Sequence, residues 1–207
     1  MVMNADLRLA EWHDALKRDK LRNLDAGMYG PLVSGSGPEN PIETTVVPRI
    51  VTLNPGQPLF RWVDGSKVSR EDMAAGAWWT SKRGAQQILA RARQAGTKNT
   101  SEHARWYSAV QRSWQSDLMK VVHIVVTQPI KAFMGVGRDQ YDATHREMWD
   151  SHGLQIYIPQ MVERRNGKSV LSRIARHHVR MVWWKSSIDF DAPTLERSMD
   201  KARRTAG

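Results

Sequence analysis

The amino-acid sequence predicts an α+β fold with largely antiparallel sheets. Its 207 residues suffice for one sizeable domain, and nine tryptophans with 41% hydrophobic residues are typical of a chain with a packed core. Short strand-like runs concentrate in the second half, whereas two or three helical segments are inserted early. Because helices and strands do not alternate along the chain, the order argues against a doubly wound parallel sheet.

The N-terminal region differs in composition from the rest of the chain. Leucines recur at helical spacing over residues 4–24, which predicts an amphipathic helix. The stretch DAGMYGPLVSGSGPENPIE at 25–43 contains four Gly, three Pro and two Ser, which predicts a linker. We therefore divide the chain into an N-terminal helix and linker, residues 1–43, and a main domain, residues 44–207. We expect the main domain to fold without residues 1–40.

The main domain begins with two strand-like runs, TTVVPRIVTL and PLFRWV. Ser69 opens a short helix that reaches Ala75, and SRED resembles a capping box. GAWWTS is a predicted strand that leads into the helix KRGAQQILARARQAG, which ends at Gly96. Residues 101–119 are expected to form one further helix with Trp106 on its apolar face.

Strands dominate the second half of the predicted domain. The β-branched run KVVHIVVTQPIKAF, interrupted at Pro129, gives the strongest strand signal, and GLQIYIPQMV follows it. RRNGKS predicts a hairpin turn, HHVRMVWWKS a late strand, and APTLERSMDKARRTAG a charged C-terminal helix. GVGRDQ at 135–140 lacks the residues of a nucleotide-binding glycine loop.

Several classes of protein are excluded or disfavoured by composition. The chain contains no cysteine, which excludes disulfides, zinc–thiolate sites and thiol catalysis. No apolar run approaches the roughly 20 residues of a membrane span, and the N-terminus carries acids and no continuous apolar stretch. We expect a cytoplasmic protein, or one associated with a virion or delivered into a host cell. His177 and His178 are adjacent and would face opposite sides of a strand, so we predict no metal site.

Basic residues gather in two regions. Residues 51–100 contain eight basic and three acidic side chains, a net charge of +5, and residues 151–207 contain eleven and five, a net charge of +6. Such regions suit a polyanionic partner, either nucleic acid or an acidic protein surface, although a merely solvated basic surface has the same composition. The densest group surrounds the Asn-Gly turn and is our candidate partner-binding cluster: Arg164, Arg165, Lys168, Arg173, Arg176 and Arg180.

A second candidate site lies between PLFRWV and WWTS. Arg61 offers a planar fork of donors suited to a pyrophosphate, and Thr80 and Ser81 offer hydroxyls to a ribose. Trp62 and its neighbours in WWTS would supply an apolar wall for a nicotinamide ring. The structural alternative is a strand-end arginine, core tryptophans and Thr80 as the N-cap of the following helix.

The order of these motifs resembles the ADP-ribosyltransferase family, in the form of a phage or bacterial effector. In that family an early strand ends in arginine or histidine, matched by Arg61 in LFRW, and a Ser-Thr-Ser-like strand leads into a helix, matched by WWTSKRGAQQIL. The resemblance covers roughly residues 44–187. It implies two small, largely antiparallel sheets with inserted helices, and NAD, as substrate, in a cleft lined by Arg61, Trp62, Trp79, Thr80 and Ser81.

The catalytic position departs from the family pattern. The family's glutamate begins a late strand, and the residue that fits in GLQIYIP is Gln155. An amide has no negative charge to offset an oxocarbenium-like transition state, and loss of such a term costs on the order of 10²–10³ in rate. Glu147 in HREMWD and Glu163 are the alternative carboxylates.

Two function classes remain open, and an unrelated α+β nucleic-acid-binding domain is kept in reserve as a third. The first is a mono-ADP-ribosyltransferase that uses NAD to modify a host protein or nucleic acid. The second is a non-catalytic binding or virion-associated protein on the same fold, whose basic surfaces hold nucleic acid or a partner protein.

Overall fold

A computed structural model describes residues 1–8, 49–110, 112, 116–137, 139–149 and 153–204. Within these ranges the strands are β1 Arg49–Leu53, β2 Pro58–Val63, β3 Trp78–Ser81, β4 Lys120–Val126, β5 Ile130–Val136, β6 Gln140–Asp142, β7 Glu147–Trp149, β8 Leu154–Tyr157, β9 Val162–Arg165, β10 Lys168–Leu171 and β11 Val179–Ser186. The helices are α1 Arg70–Ala74, α2 Lys82–Gln94, α3 Ser101–Ser108 and α4 Ala192–Arg204, with a 3-10 helix at Ala175–His177.

Seven of the strands form one antiparallel sheet in the order β1-β5-β8-β3-β2-β4-β11. The remaining described strands form two hairpins, β6–β7 and β9–β10. The predicted α+β class with largely antiparallel strands is confirmed. The seven strands form one continuous sheet rather than the two small sheets that the resemblance implies. The reason is that β8 pairs with β3 on one side and with β5 on the other.

Layers of different composition cover the two faces of the sheet. Side chains alternate between the faces along each strand. On one face, which we call the helical face, Phe60 and Trp62 of β2 pack against α2, α3 and α4 through Ile88, Tyr107 and Leu195. On the other, which we call the hairpin face, Leu59 and Val63 belong to the core that includes Met73 of α1, Leu171 of β10 and Ala175.

The predicted helix over residues 101–119 is wrong in length. α3 ends at Ser108 because Ala109 adopts a left-handed conformation, with φ of 47°, as its C-cap. The guanidinium of Arg105 donates hydrogen bonds to the carbonyl oxygens of Val110 and Ser116, and so holds these two residues beside α3.

Local signals in the sequence agree with the structure at several points. Ser69 caps α1 by accepting a hydrogen bond from the Asp72 backbone N–H at 3.0 Å. Asn166 and Gly167 both have positive φ in the turn that joins β9 to β10, as the Asn-Gly pair predicts. The long run around Pro129 is divided into β4 and β5, which are not neighbours in the sheet. The β6–β7 hairpin was not predicted.

The first eight residues pack onto the main domain. Met3 forms a parallel bridge with Ile130 and is almost fully buried. The Asn4 side-chain amide donates to the carbonyl oxygens of Lys131 and Pro159, at 3.2 and 2.9 Å. Residues 4–6 form a turn and residues 7–8 have no regular secondary structure, so this described part of the predicted helix is not helical. The rest of the predicted N-terminal helix and the predicted linker lie outside the described residues.

Candidate functional site

The sheet separates the residues predicted to bind NAD. Because neighbours along a strand point to opposite faces, Trp62 and Thr80 lie on the helical face, whereas Arg61, Trp79 and Ser81 lie on the hairpin face. The register runs without a bulge from β2 to β3 and from β3 to β8. No single cleft therefore contains all five side chains.

Three members of this set have structural partners. The Trp62 indole N–H donates to the Thr100 hydroxyl at 3.0 Å, within the core of the helical face. The Trp79 indole N–H donates to the carbonyl oxygen of Gly76 at 2.7 Å. The N-cap of α2 is Ser81, whose hydroxyl accepts from the Gly84 backbone N–H at 3.2 Å, rather than Thr80. These contacts match the structural alternative for the tryptophans.

The two candidate catalytic residues lie in different environments. Gln155 is 7% exposed, and its amide donates to the Ser108 carbonyl oxygen, at 3.2 Å, at the end of α3. A dinucleotide could reach this amide only if α3 moved away. Glu147 is half exposed and forms an ion pair with Arg112 at 3.2 Å, and Arg112 also contacts Glu102 at 2.7 Å. Glu147 therefore belongs to a surface ion network.

The polar group of Arg61 is only partly accounted for by contacts within the described residues. Its guanidinium lies against Gly76, where a Cβ atom would come within 1.7 Å of Nη1, and it donates to the Ala75 carbonyl oxygen at 2.7 Å. Burial lowers the pKa of Arg61 to about 10. Among the described residues it has no carboxylate within ion-pair distance, so most of its five N–H donors lack a protein acceptor there.

Five of the six residues of the predicted basic cluster lie on or directly after one hairpin, where Arg165 and Lys168 share one side of the two-stranded ribbon and Arg164 lies on the other. Arg180 pairs with Val125 on β4 and so lies on the helical face, away from the other five cations. Those five lie on and directly after the β9–β10 hairpin, and we call them the basic hairpin: Arg164, Arg165, Lys168, Arg173 and Arg176.

Two acids balance part of the basic hairpin. Arg165 forms an ion pair with Glu163 at 2.6 Å, and Arg176 forms one with Glu71 of α1 at 2.8 Å. The side chains of the other three cations form no ion pair in the described part of the chain, and all three residues are exposed: Arg164, Lys168 and Arg173.

His123 is a buried polar residue that sequence analysis did not single out. It lies on β4 facing the helices, stacked on Phe60 with 4.7 Å between ring centroids and edge-on to Trp183 at 5.5 Å. Within the described ranges neither ring nitrogen has a hydrogen-bond partner, and burial lowers the pKa of the imidazole to about 4. Its place inside the apolar run KVVHIVV was the available signal, since a polar residue there must face one buried side of the sheet.

Two further properties of the described residues concern metal binding and membrane crossing. No group of three or more His, Asp or Glu side chains in them is arranged to hold a metal ion. None of the described helices combines the length and apolar character required to cross a membrane.

Comparison of the chain with protein-family models, with curated proteins and with solved structures finds no match.

Proposed function

We propose that the protein is a non-catalytic binding protein that holds nucleic acid through the basic hairpin. The observation that carries this proposal is the charge imbalance on the hairpin, where five cations meet two acids. Arg164, Lys168 and Arg173 therefore keep their charge free for an external anion. A surface that neutralises phosphates releases their counterions, which is the main source of sequence-independent affinity for nucleic acid.

The chemistry of the hairpin tip favours nucleic acid over an acidic protein. Protein interfaces depend on a few buried aromatic or apolar anchors surrounded by polar residues. The tip, RRNGKS, contains no large apolar side chain, and all six of its residues are exposed. A flexible phosphate chain requires only cations on an accessible surface, which a two-stranded ribbon with exposed arginines provides.

A triple variant tests this proposal. Arg164→Gln, Lys168→Gln and Arg173→Gln together remove three charges from the hairpin. The matched control removes three exposed arginines from α2, on the helical face, by Arg83→Gln, Arg91→Gln and Arg93→Gln. The hairpin variant should bind a fluorescently labelled oligonucleotide at least about tenfold more weakly at low salt than the control variant does.

The control distinguishes a binding surface from general charge, because both variants have the same net charge. Equal affinities of the two variants would mean that the hairpin has no special role. No binding of the wild-type protein to single-stranded or duplex oligonucleotides at low salt would contradict the proposal altogether.

NAD-dependent ADP-ribosyl transfer is the second candidate, and Arg61 is the observation that favours it. A guanidinium with free donors and no carboxylate partner among the described residues suits a pyrophosphate. Arg61 would then hold the NAD phosphates on the hairpin face, whereas Gln155, which pairs with Thr80, lies on the helical face beside α3. The catalytic group would therefore have to come from another residue on the hairpin face. NAD at one hundred times its Kd should stabilise the native state by about 2.7 kcal/mol. An unchanged melting temperature at millimolar NAD would exclude this candidate.

A further inference from the structure

We propose that a second surface on the hairpin face binds a segment of single-stranded nucleic acid, with Trp184 stacking on a base and nearby cations contacting the phosphates. We call this surface the Trp184 corner, formed by Trp184, Lys120, Lys67 and Arg61. The inference rests on the proposed function, because it names the form of nucleic acid that the hairpin face receives.

The four residues are linked by one ring contact, one hydrogen bond to a backbone carbonyl and one electrostatic interaction. Lys120 Nζ lies 4.9 Å from the centroid of the Trp184 ring and donates to the Lys67 carbonyl oxygen at 2.6 Å. Burial and the neighbouring Arg61 guanidinium both lower the pKa of Lys67, so Arg61 and Lys67 are electrostatic neighbours. An aromatic ring and three cations therefore lie near one another at this corner of the protein.

Strand register places the corner on the hairpin face. Trp184 pairs with Val122 of β4, and Val122 pairs with Arg61 of β2, so these side chains share one face. α1 packs against both β4 and β10. The Trp184 corner and the basic hairpin therefore flank the same short helix, and a strand could contact both.

The exposure of Trp184 argues for a stacked ligand. The residue lies on an edge strand and is 44% exposed although Lys120 covers part of the ring. Stacking of a base on an aromatic ring needs an unpaired, accessible base, which a single strand offers and a duplex does not.

Neither Lys67 nor Arg61 forms an ion pair within the described residues, so their charges are available to a phosphate. Asp64 and Asp72 both act on Lys67, and neither lies within ion-pair distance of it. Within the described part of the chain, Arg61 has only the Ala75 carbonyl oxygen as an acceptor. The corner thus combines unpaired positive charge with an aromatic surface, the two components by which proteins bind single strands without reading their sequence.

The experiment measures the affinities of Trp184→Ala and Trp184→Phe for a labelled oligothymidylate and for a duplex of equal length. Trp184→Ala should bind the single strand roughly 5- to 150-fold more weakly, the range of one lost stacking contact, with little change for the duplex. Trp184→Phe keeps an aromatic face and should retain most of the affinity. Trp106→Ala is the matched control, since Trp106 is 42% exposed on α3 at the other face.

A charge variant gives an independent measurement. Lys67→Gln should reduce the slope of log affinity against log salt for the single strand by about 0.7, whereas Lys98→Gln, an exposed lysine on the loop after α2, should not. Photo-crosslinking of the wild-type protein to an iododeoxyuridine strand should label Trp184. This measurement does not depend on the folding of any variant.

The outcomes separate this inference from the proposed function. If the wild-type protein binds both oligonucleotides but Trp184→Ala and Trp106→Ala behave alike, the corner has no role and the basic hairpin keeps its function. If Trp184→Ala lowers the affinity for the single strand and for the duplex equally, the inference is also overturned, because stacking would then not be involved. If the wild-type protein binds neither oligonucleotide, both proposals fail.

Discussion

Replacement of His123 should change how stability depends on pH. The imidazole is fully buried between Phe60 and Trp183, without a hydrogen-bond partner among the described residues, and burial lowers its pKa from 6.5 to about 4. The unfolded chain therefore binds a proton on this group between pH 6.5 and 4, whereas the folded protein does not. Stability should fall as the pH falls through this window.

The size of the effect follows from the difference between the pKa of His123 in the folded protein and its pKa in the unfolded chain. A difference of one pH unit between these two values corresponds to about 1.36 kcal/mol, so His123 should contribute a loss of about 3 kcal/mol in the free energy of unfolding between pH 7 and pH 4. Hydrogen bonds, chiefly from Ser66 to Asp64 and from Thr194 to Asp191, lower the pKa values of these two carboxyl groups. In the folded protein both groups therefore titrate below this window.

The assay is urea denaturation of the wild-type protein and His123→Leu at intervals from pH 7 to pH 4. Between pH 7 and pH 4 the leucine variant should lose about 3 kcal/mol less stability than the wild-type protein does. At pH 7 it should be at least as stable as the wild-type protein, because two buried nitrogens without hydrogen-bond partners among the described residues are removed. Parallel pH profiles for the two proteins would refute the assignment of a buried, neutral imidazole.

Three further predictions follow from the packing. Gly76→Ala should displace the Arg61 guanidinium, because the new Cβ atom would lie 1.7 Å from it, and should lower the melting temperature by several degrees. Adding Arg61→Ala to this variant should restore most of the lost melting temperature. Deletion of residues 1–8 should lower the free energy of unfolding by roughly 2–5 kcal/mol, since Met3 leaves the core; an unchanged urea midpoint would show that this segment is dispensable. Gln155→Glu should cost about 2–3 kcal/mol at neutral pH, because a carboxylate would face the end of α3, and should produce no NAD hydrolysis; appearance of hydrolysis would instead support the transferase candidate.

Much of the local structure was predictable because short-range chemistry determines it. The positive φ values at Asn166 and Gly167 follow from the residue types, and the cap at Ser69 follows from its hydroxyl. The end of α3 was not predictable, because alanine rarely adopts the left-handed conformation found at Ala109. The docking of Met3 beside Ile130 joins residues 127 positions apart, which no local pattern records.

The candidate sites show the same division. The density of basic residues in RRNGKS was visible in the composition, but the pairing of Arg176 with Glu71 depends on the packing of α1 against β10. The separation of Arg61 from Thr80 depends on the register between β2 and β3, since a shift of one residue would reverse which side chains share a face. Motif order alone could not determine that register.

The salt dependence of strand binding tests the central claim most directly. For a labelled single strand, the slope of log affinity against log salt should be smaller by about 2 in the variant that lacks the charges of Arg164, Lys168 and Arg173, because each phosphate contact contributes about 0.7. The α2 variant, with the same net charge, should keep the wild-type slope. Identical slopes for the two variants would contradict the claim that the basic hairpin binds nucleic acid.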